Sequence, residues 1–160
     1  MAGRTILLAT DFSECSTATL GVVAEYAKAL NAHVHIVHIF PLNIPYPPFY
    51  FGDASPLPAL VLSEAQRATV RANVQTEMKN WLGSAGRQFP HDLVVLEGIA
   101  GEELVRYARQ TKCNLIIIGT HGYGFFKRAL LGSVAQFLML HAPCPVMTVK
   151  AAAAPAAKGE

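Results

Sequence analysis

Charge is scarce in this chain and nearly balanced: 13 Lys+Arg against 11 Asp+Glu leave a formal net charge of +2, and charged residues make up only 15% of the 160. Without a basic run beside that balance, no nucleic-acid partner is expected. No apolar stretch comes near the ~20 residues that a membrane-spanning helix needs, so no membrane is expected either. The opening "MAGRTILLATDF" meets Asp11 too soon for a secretory leader. The three cysteines, Cys15, Cys113 and Cys144, are odd in number and far apart, with no C-x-x-C. That usage fits a reduced, cytoplasmic protein. Two catalytic signatures are also missing. There is no G-x-x-x-x-G-K-[ST], hence no P-loop lysine, and no G-x-S-x-G elbow to make Ser13 a hydrolase nucleophile.

What is present is apolar. A hydrophobic fraction of 52% excludes a disordered chain and suits one domain around a single core. "RTILLAT", residues 4–10, is a short continuous apolar run of the kind buried on both faces of a sheet. "DFSE" follows, with Asp11 or Ser13 placed to cap a helix, and Leu20, Val23, Ala27 and Leu30 then share a face of that helix. "HVHIVHIF" reads as a second strand. Ser63 and Gln66 form a capping-box pattern ahead of a helix that ends near Leu82, before Gly83 and Gly86. "DLVVLEG" is a third strand, and Glu102 and Glu103 occupy the first turn of a third helix, whose Leu104, Val105 and Ala108 face inward. "NLIIIG" is a fourth strand. A fourth helix starts near Gly132 and Ser133, carries Val134, Phe137 and Leu138, and stops before Pro143; "CPVMTVK" closes the series.

Between the second strand and second helix, residues 41–60 form an insertion. Its six prolines and four aromatics between Pro41 and Pro58 exclude regular structure and leave either a packing surface or a plain connector. Residues 151–160 are a low-complexity tail, expected to be disordered. The rest, within residues 1–150, alternates strand and helix five times. That pattern predicts a single α/β domain with a five-stranded parallel sheet and helices on both faces. In the order 3-2-1-4-5 the first and fourth strands are neighbours at the switch point, and the last strand is an edge. Ligands of such sheets collect beyond the carboxyl ends of the strands at that point.

The two loops that meet there are "TDFS" and "GTHGYGFFKRALLGS". Gly119 and Gly122 leave backbone amides uncovered, so phosphate oxygens can approach. Gly132 and Ser133 open a helix whose free N–H groups favour an anion. Lys127 and Arg128 could add charge. Asp11 could accept from a ribose hydroxyl or help to hold a magnesium ion, as well as cap a helix.

Gly119-x2-Gly122-x9-Gly132-Ser133 resembles the G-2x-G-9x-G(S/T) nucleotide motif of the universal stress protein (UspA-like) family. "LLATDFSECSTATL", "HIVHIF" and "LIIIGTHGYGFFKRALLGSVAQFLMLHAPCPVMTVK" resemble that family as well, over residues 6–150. The resemblance implies an adenine nucleotide alpha hydrolase-like fold, a homodimer, and, in the motif-bearing branch, bound ATP with Mg2+. It further implies that Ala9, Thr10 and Asp11 line the adenosine side and that the backbone at Ile39 meets the adenine edge. Gly119, Thr120, His121, Gly122, Gly132, Ser133, Val134 and Ala135 would surround the phosphates. Ala135 stands where some ATP-binding relatives carry threonine or serine. The dimer is expected through the last strand, residues 145–150, which begin at Pro145 and end at Lys150, because its outer edge can pair with a twin.

Other candidates are weaker. His33 and His35 share a strand face and could chelate a metal, but no third ligand follows at suggestive spacing, so a solvated or hydrogen-bonded pair is expected. His121 has no carboxylate near it in sequence to orient it, and Cys15 has no partner thiol. Three classes of function stay open: a nucleotide-binding stress-response regulator; a slow ATPase or phosphotransferase, which needs a base or metal set that the sequence does not offer beyond Asp11; and a dimeric interaction module that binds no nucleotide.

Overall fold

In the computed structural model, residues 3–40, 43–44, 60–120 and 131–151 are described. Strand β1 (Arg4–Ala9) leads into helix α1 (Glu14–Leu30) and strand β2 (Ala32–Phe40). Two short strands, β3 (Asn43–Ile44) and β4 (Leu60–Val61), precede helix α2 (Glu64–Leu82) and a 3-10 turn (Gly83–Gln88). Strand β5 (His91–Glu97), helix α3 (Ala100–Thr111), strand β6 (Leu115–Gly119), helix α4 (Ser133–His141) and strand β7 (Val146–Val149) complete the chain.

Five of the strands form one parallel sheet in the order β5-β2-β1-β6-β7, the expected 3-2-1-4-5 arrangement with the last strand at an edge. Both side-chain parities of the central strands are apolar because both faces are covered. Ile6 and Leu8 of β1 join Val34 and Ile36 of β2 under α1 and α2, with Val23, Ala27, Met78 and Leu82. Leu7, Ala9 and Val37 point the other way, onto Leu104, Val105 and Ala108 of α3 and Ala135 and Leu138 of α4. The inward stripe expected of the third helix is thus the one observed.

Local signals place the helix starts. Ser13 caps α1 by accepting from the Ser16 amide, and Ser63 and Gln66 form a reciprocal capping box at α2. The stops of α1 and α3 are Asn31 and Lys112, both in the left-handed conformation at φ of 48° and 51°. Arg67, in the first turn of α2, lies with Nη1 2.9 Å from Oε1 of the mostly buried Glu97 at the end of β5. The pair is within ion-pair distance without hydrogen-bond alignment, and it holds α2 to the sheet edge.

One expectation needs correction. The insertion is not wholly irregular: Asn43–Ile44, a stretch between its prolines, pairs antiparallel with Leu60–Val61 and closes the ends of the segment. Residues 45–59 and the tail 152–160 lie outside the described residues. Cys113 and Cys144, far apart in sequence, meet with their sulfurs 3.2 Å apart as free thiols. Burial, reinforced by the Cys144 contact, pushes the Cys113 thiol up to about 12, so it stays a neutral packing group at neutral pH. Among the described residues no helix is long and apolar enough to cross a membrane.

Candidate functional site

The carboxyl ends of β1 and β6 lie side by side, in register up to Ala9 opposite Ile118. Just past that point the chain leaves the sheet on both strands. The Thr10 amide donates to the Val37 carbonyl at 3.0 Å, and the Thr10 carbonyl accepts from Nδ1 of His38 at 2.9 Å. Ladder pairing of β1 to β2 ends at Ala9 and Val37, so no β1 residue stands opposite Ile39. The Ile39 side chain packs on the α3–α4 face of the sheet.

Asp11 is built into the start of α1. Its Oδ1 accepts from the Ser13 amide at 3.1 Å, the Ser13 hydroxyl at 2.6 Å and the Ser16 hydroxyl at 2.5 Å. Ser13 is the cap, and Asp11 holds that cap in place. Phe12 between them takes φ 65°, a left-handed conformation that costs a side-chain-bearing residue roughly 1–2 kcal/mol. Its ring stacks on His38 at 4.5 Å and 14° and meets Trp81 edge-on at 6.0 Å, which offsets the strain. Sequence reasoning missed Phe12 and His38 as parts of this corner. The only clue was an aromatic next to the capping serine.

On the other side, the Thr120 amide donates to Val149 at 2.9 Å, and the Thr120 carbonyl accepts from the Gly132 amide at 2.7 Å. The third anchor of the glycine pattern is therefore joined by a direct main-chain hydrogen bond to Thr120, the residue that follows the first. That bond uses the Gly132 amide, which the sequence had assigned to phosphate. Gly132 is instead the N-cap of α4, with extended φ and ψ of −69° and 155° and no side-chain cap. The first intrahelical bond runs from the Gln136 amide to the Gly132 carbonyl. The amides of Ser133, Val134 and Ala135 are then the ones that a helix leaves without an i−4 partner. Their common direction, and the positive end of the helix dipole, suit an anion. The Ala135 side chain is 2% exposed in the core beneath, so this position contributes its backbone and not its Cβ.

Gly119 is also closely packed. A Cβ there would lie 2.9 Å from the carbonyl carbon and Cβ of Cys15. The room that this glycine leaves is filled by the first turn of α1, not by open space. His121, Gly122, Lys127 and Arg128 lie outside the described residues.

At the opposite, amino-terminal end of the sheet sits a second polar group. His33 and His35 do share a face, and the parallel register sets Asp92 of β5 opposite His35. The missing third donor thus comes from a strand far along the chain. His33 Nε2 and Asp92 Oδ2 are 2.9 Å apart, and His35 Nε2 and the same oxygen 4.0 Å. Burial, then the neighbouring His33, lowers the His35 pKa, with Asp92 opposing them. Burial and the Asp92 charge raise that of Tyr107, whose hydroxyl is 3.0 Å from His35 Nδ1.

Residues 3–150 match the model of the universal stress protein family. The chain is 31% identical over 148 residues to a universal stress protein of Thermus aquaticus, covering 92% of this chain and 98% of that one. It is 29% identical over 151 residues to universal stress protein MJ0531 of Methanocaldococcus jannaschii, covering 92% and 82%. Among solved structures, the hypothetical protein MJ0577 superposes with a TM-score of 0.72 at 22% identity, covering 96% of this chain and all of that one. A universal stress protein in complex with cAMP superposes at 0.65, with 18% identity and 95% and 100% coverage. One from Archaeoglobus fulgidus in complex with dAMP superposes at 0.61, with 20% identity and 94% and 100% coverage. With a family model spanning nearly its whole length, this chain belongs to the universal stress protein family.

Proposed function

We propose that this protein binds ATP at the carboxyl ends of β1 and β6 and acts as a nucleotide-dependent regulator of a stress response. The observation that carries the reading is the start of α4, without a side-chain cap and tied by the 2.7 Å Gly132–Thr120 bond to the end of β6, the strand that pairs with β1. Structural relatives in complex with cAMP and dAMP support an adenine nucleotide as the class of ligand.

In this reading the amides of Ser133, Val134 and Ala135 receive phosphate oxygens, with Thr120 and Gly119 forming the floor and His121 and Gly122 on the connecting segment. Ala9, Thr10 and Asp11 face the nucleoside, and the main chain at Ile39 meets the adenine edge. Magnesium arrives with the triphosphate. Asp11 Oδ1 already accepts three hydrogen bonds, which fits a carboxylate that positions the loop better than one that ligates metal through that oxygen. The role is binding and signalling, with no catalytic residue assigned.

Heat release of small molecules from the purified protein, followed by mass spectrometry, is expected to yield ATP or ADP. Equilibrium binding should favour ATP over AMP. A nucleotide-free preparation that also fails to bind ATP at millimolar concentration sinks the proposal.

A second copy completes the unit in this reading. Among the described residues the outer edge of β7 has no strand partner, and all four residues of the strand are partly exposed. Pairing through residues 145–150 of two chains would cover that edge. Sedimentation at micromolar concentration is expected to show a dimer; a monomer alone is the contrary result.

A further inference from the structure

The amino-terminal end of the sheet carries a group that nucleotide binding does not use. His33 and His35 project from one face of β2, two residues apart, and Asp92 projects from the same face of the edge strand β5. One donor atom from each lies within 4.8 Å of the others. We propose that these three side chains bind a divalent zinc ion. Nothing in this inference depends on the ligand at the opposite end of the strands.

The distances are those of a site that closes by side-chain rotation alone. Zinc bonds of 2.0–2.1 Å in a tetrahedron place neighbouring donors about 3.3–3.4 Å apart. The two His–Asp separations, 2.9 and 4.0 Å, bracket that value. His33 and His35 meet edge-on, with ring centroids 5.6 Å apart and planes at 84°, so their Nε2 lone pairs can converge on one point without the rings colliding. The backbone contributes as well: residues i and i+2 of a strand stand about 6.6–7 Å apart on one face, a span that two imidazoles can close.

Ligand type and surroundings fit zinc among the common divalent ions. Two imidazoles and one carboxylate are borderline donors, where calcium and magnesium call for oxygen alone. The Tyr107 hydroxyl is 3.0 Å from His35 Nδ1 and can accept a hydrogen bond from its N–H, leaving Nε2 as the metal-binding nitrogen. An outer partner on the far nitrogen is the usual companion of a ligating histidine. The donors are graded in exposure, with side chains of His35 at 19%, His33 at 42% and Asp92 at 66%. Zinc can enter without opening the fold, and the fourth position faces solvent, open to water or to a donor from another molecule. Bound there, the ion links β2 to the edge strand β5.

The test uses the full chain, stripped with a chelator and titrated with zinc against a chromophoric competitor. One equivalent should bind in the micromolar range, and Asp92→Ala and His33→Ala should each weaken it at least tenfold. Asp92 is exposed, so its alanine variant keeps the fold even if His35→Ala does not. Zinc at about one hundred times Kd should raise Tm by roughly 5–10 °C in the native chain and not in Asp92→Ala. Cobalt in place of zinc should give a tetrahedral d–d spectrum without a thiolate charge-transfer band, and Cys113→Ser with Cys144→Ser should leave binding unchanged. The proposal is overturned by no saturable uptake at about 100 µM zinc, far above the range expected of a three-donor site. Uptake that survives Asp92→Ala and His33→Ala, or that is lost with the cysteines, overturns it equally.

Discussion

Valine at position 119 is expected to destabilise the fold by roughly 3 kcal/mol, with alanine causing a smaller loss. The Cβ of any side chain at 119 would stand 2.9 Å from the carbonyl carbon of Cys15, inside contact distance of main chain that cannot rotate away. Relief requires α1 to slide outward, and α1 carries Leu20, Val23 and Ala27 of one core layer. The same movement would disturb the hydrogen bonds of Asp11 with Ser13 and Ser16, and with them the corner that follows β1. A fall in Tm of roughly 6–12 °C should accompany the valine variant, read by thermal denaturation of the protein without nucleotide. Native-like melting of Gly119→Val would mean that α1 does not approach β6 as closely as described.

Gly132→Val should do the opposite: leave the fold nearly intact and weaken ATP binding at least tenfold, about 1.4 kcal/mol. The backbone at 132 is extended, at φ −69° and ψ 155°, so a branched residue fits without strain. An N-cap side chain, however, stands over the second and third amides of its helix. Valine placed there shields the Val134 and Ala135 amides and offers them no acceptor. Gly132→Asp sharpens the contrast, because its carboxylate would cap α4 itself, holding or raising stability while excluding phosphate by charge. Calorimetric titration with ATP, beside melting curves of the same samples, separates the two effects. If both variants bind ATP as the native chain does, the start of α4 is not the phosphate site.

These two glycines look alike in sequence and part company in space. Each follows or precedes a structured segment at a loop end, and the motif treats both as places where a ligand approaches. Gly119 is small because a helix from elsewhere in the chain packs on it, and only the packed structure shows that. The Gly132 amide bonds back to Thr120, so the amides at this helix start that lack an i−4 partner are those of Ser133, Val134 and Ala135. Ala135 shows the same division: its position in the motif suggested a missing hydroxyl, whereas its side chain belongs to the core.

What the amino-acid sequence determined by itself is the fold. Runs such as "TILLA" and "LIII", capping serines at 13 and 63, and the inward stripe of Leu104, Val105 and Ala108 are local signals of period and burial. Such signals need no knowledge of distant residues, and alternation with helices leaves a parallel sheet as the stable arrangement. Only the tertiary structure decided which distant groups meet: Asp92 with His33 and His35, Cys113 with Cys144, Cys15 with Gly119. Each of those pairings depends on strand register and helix placement, which collective packing of the core sets and no window of the sequence contains.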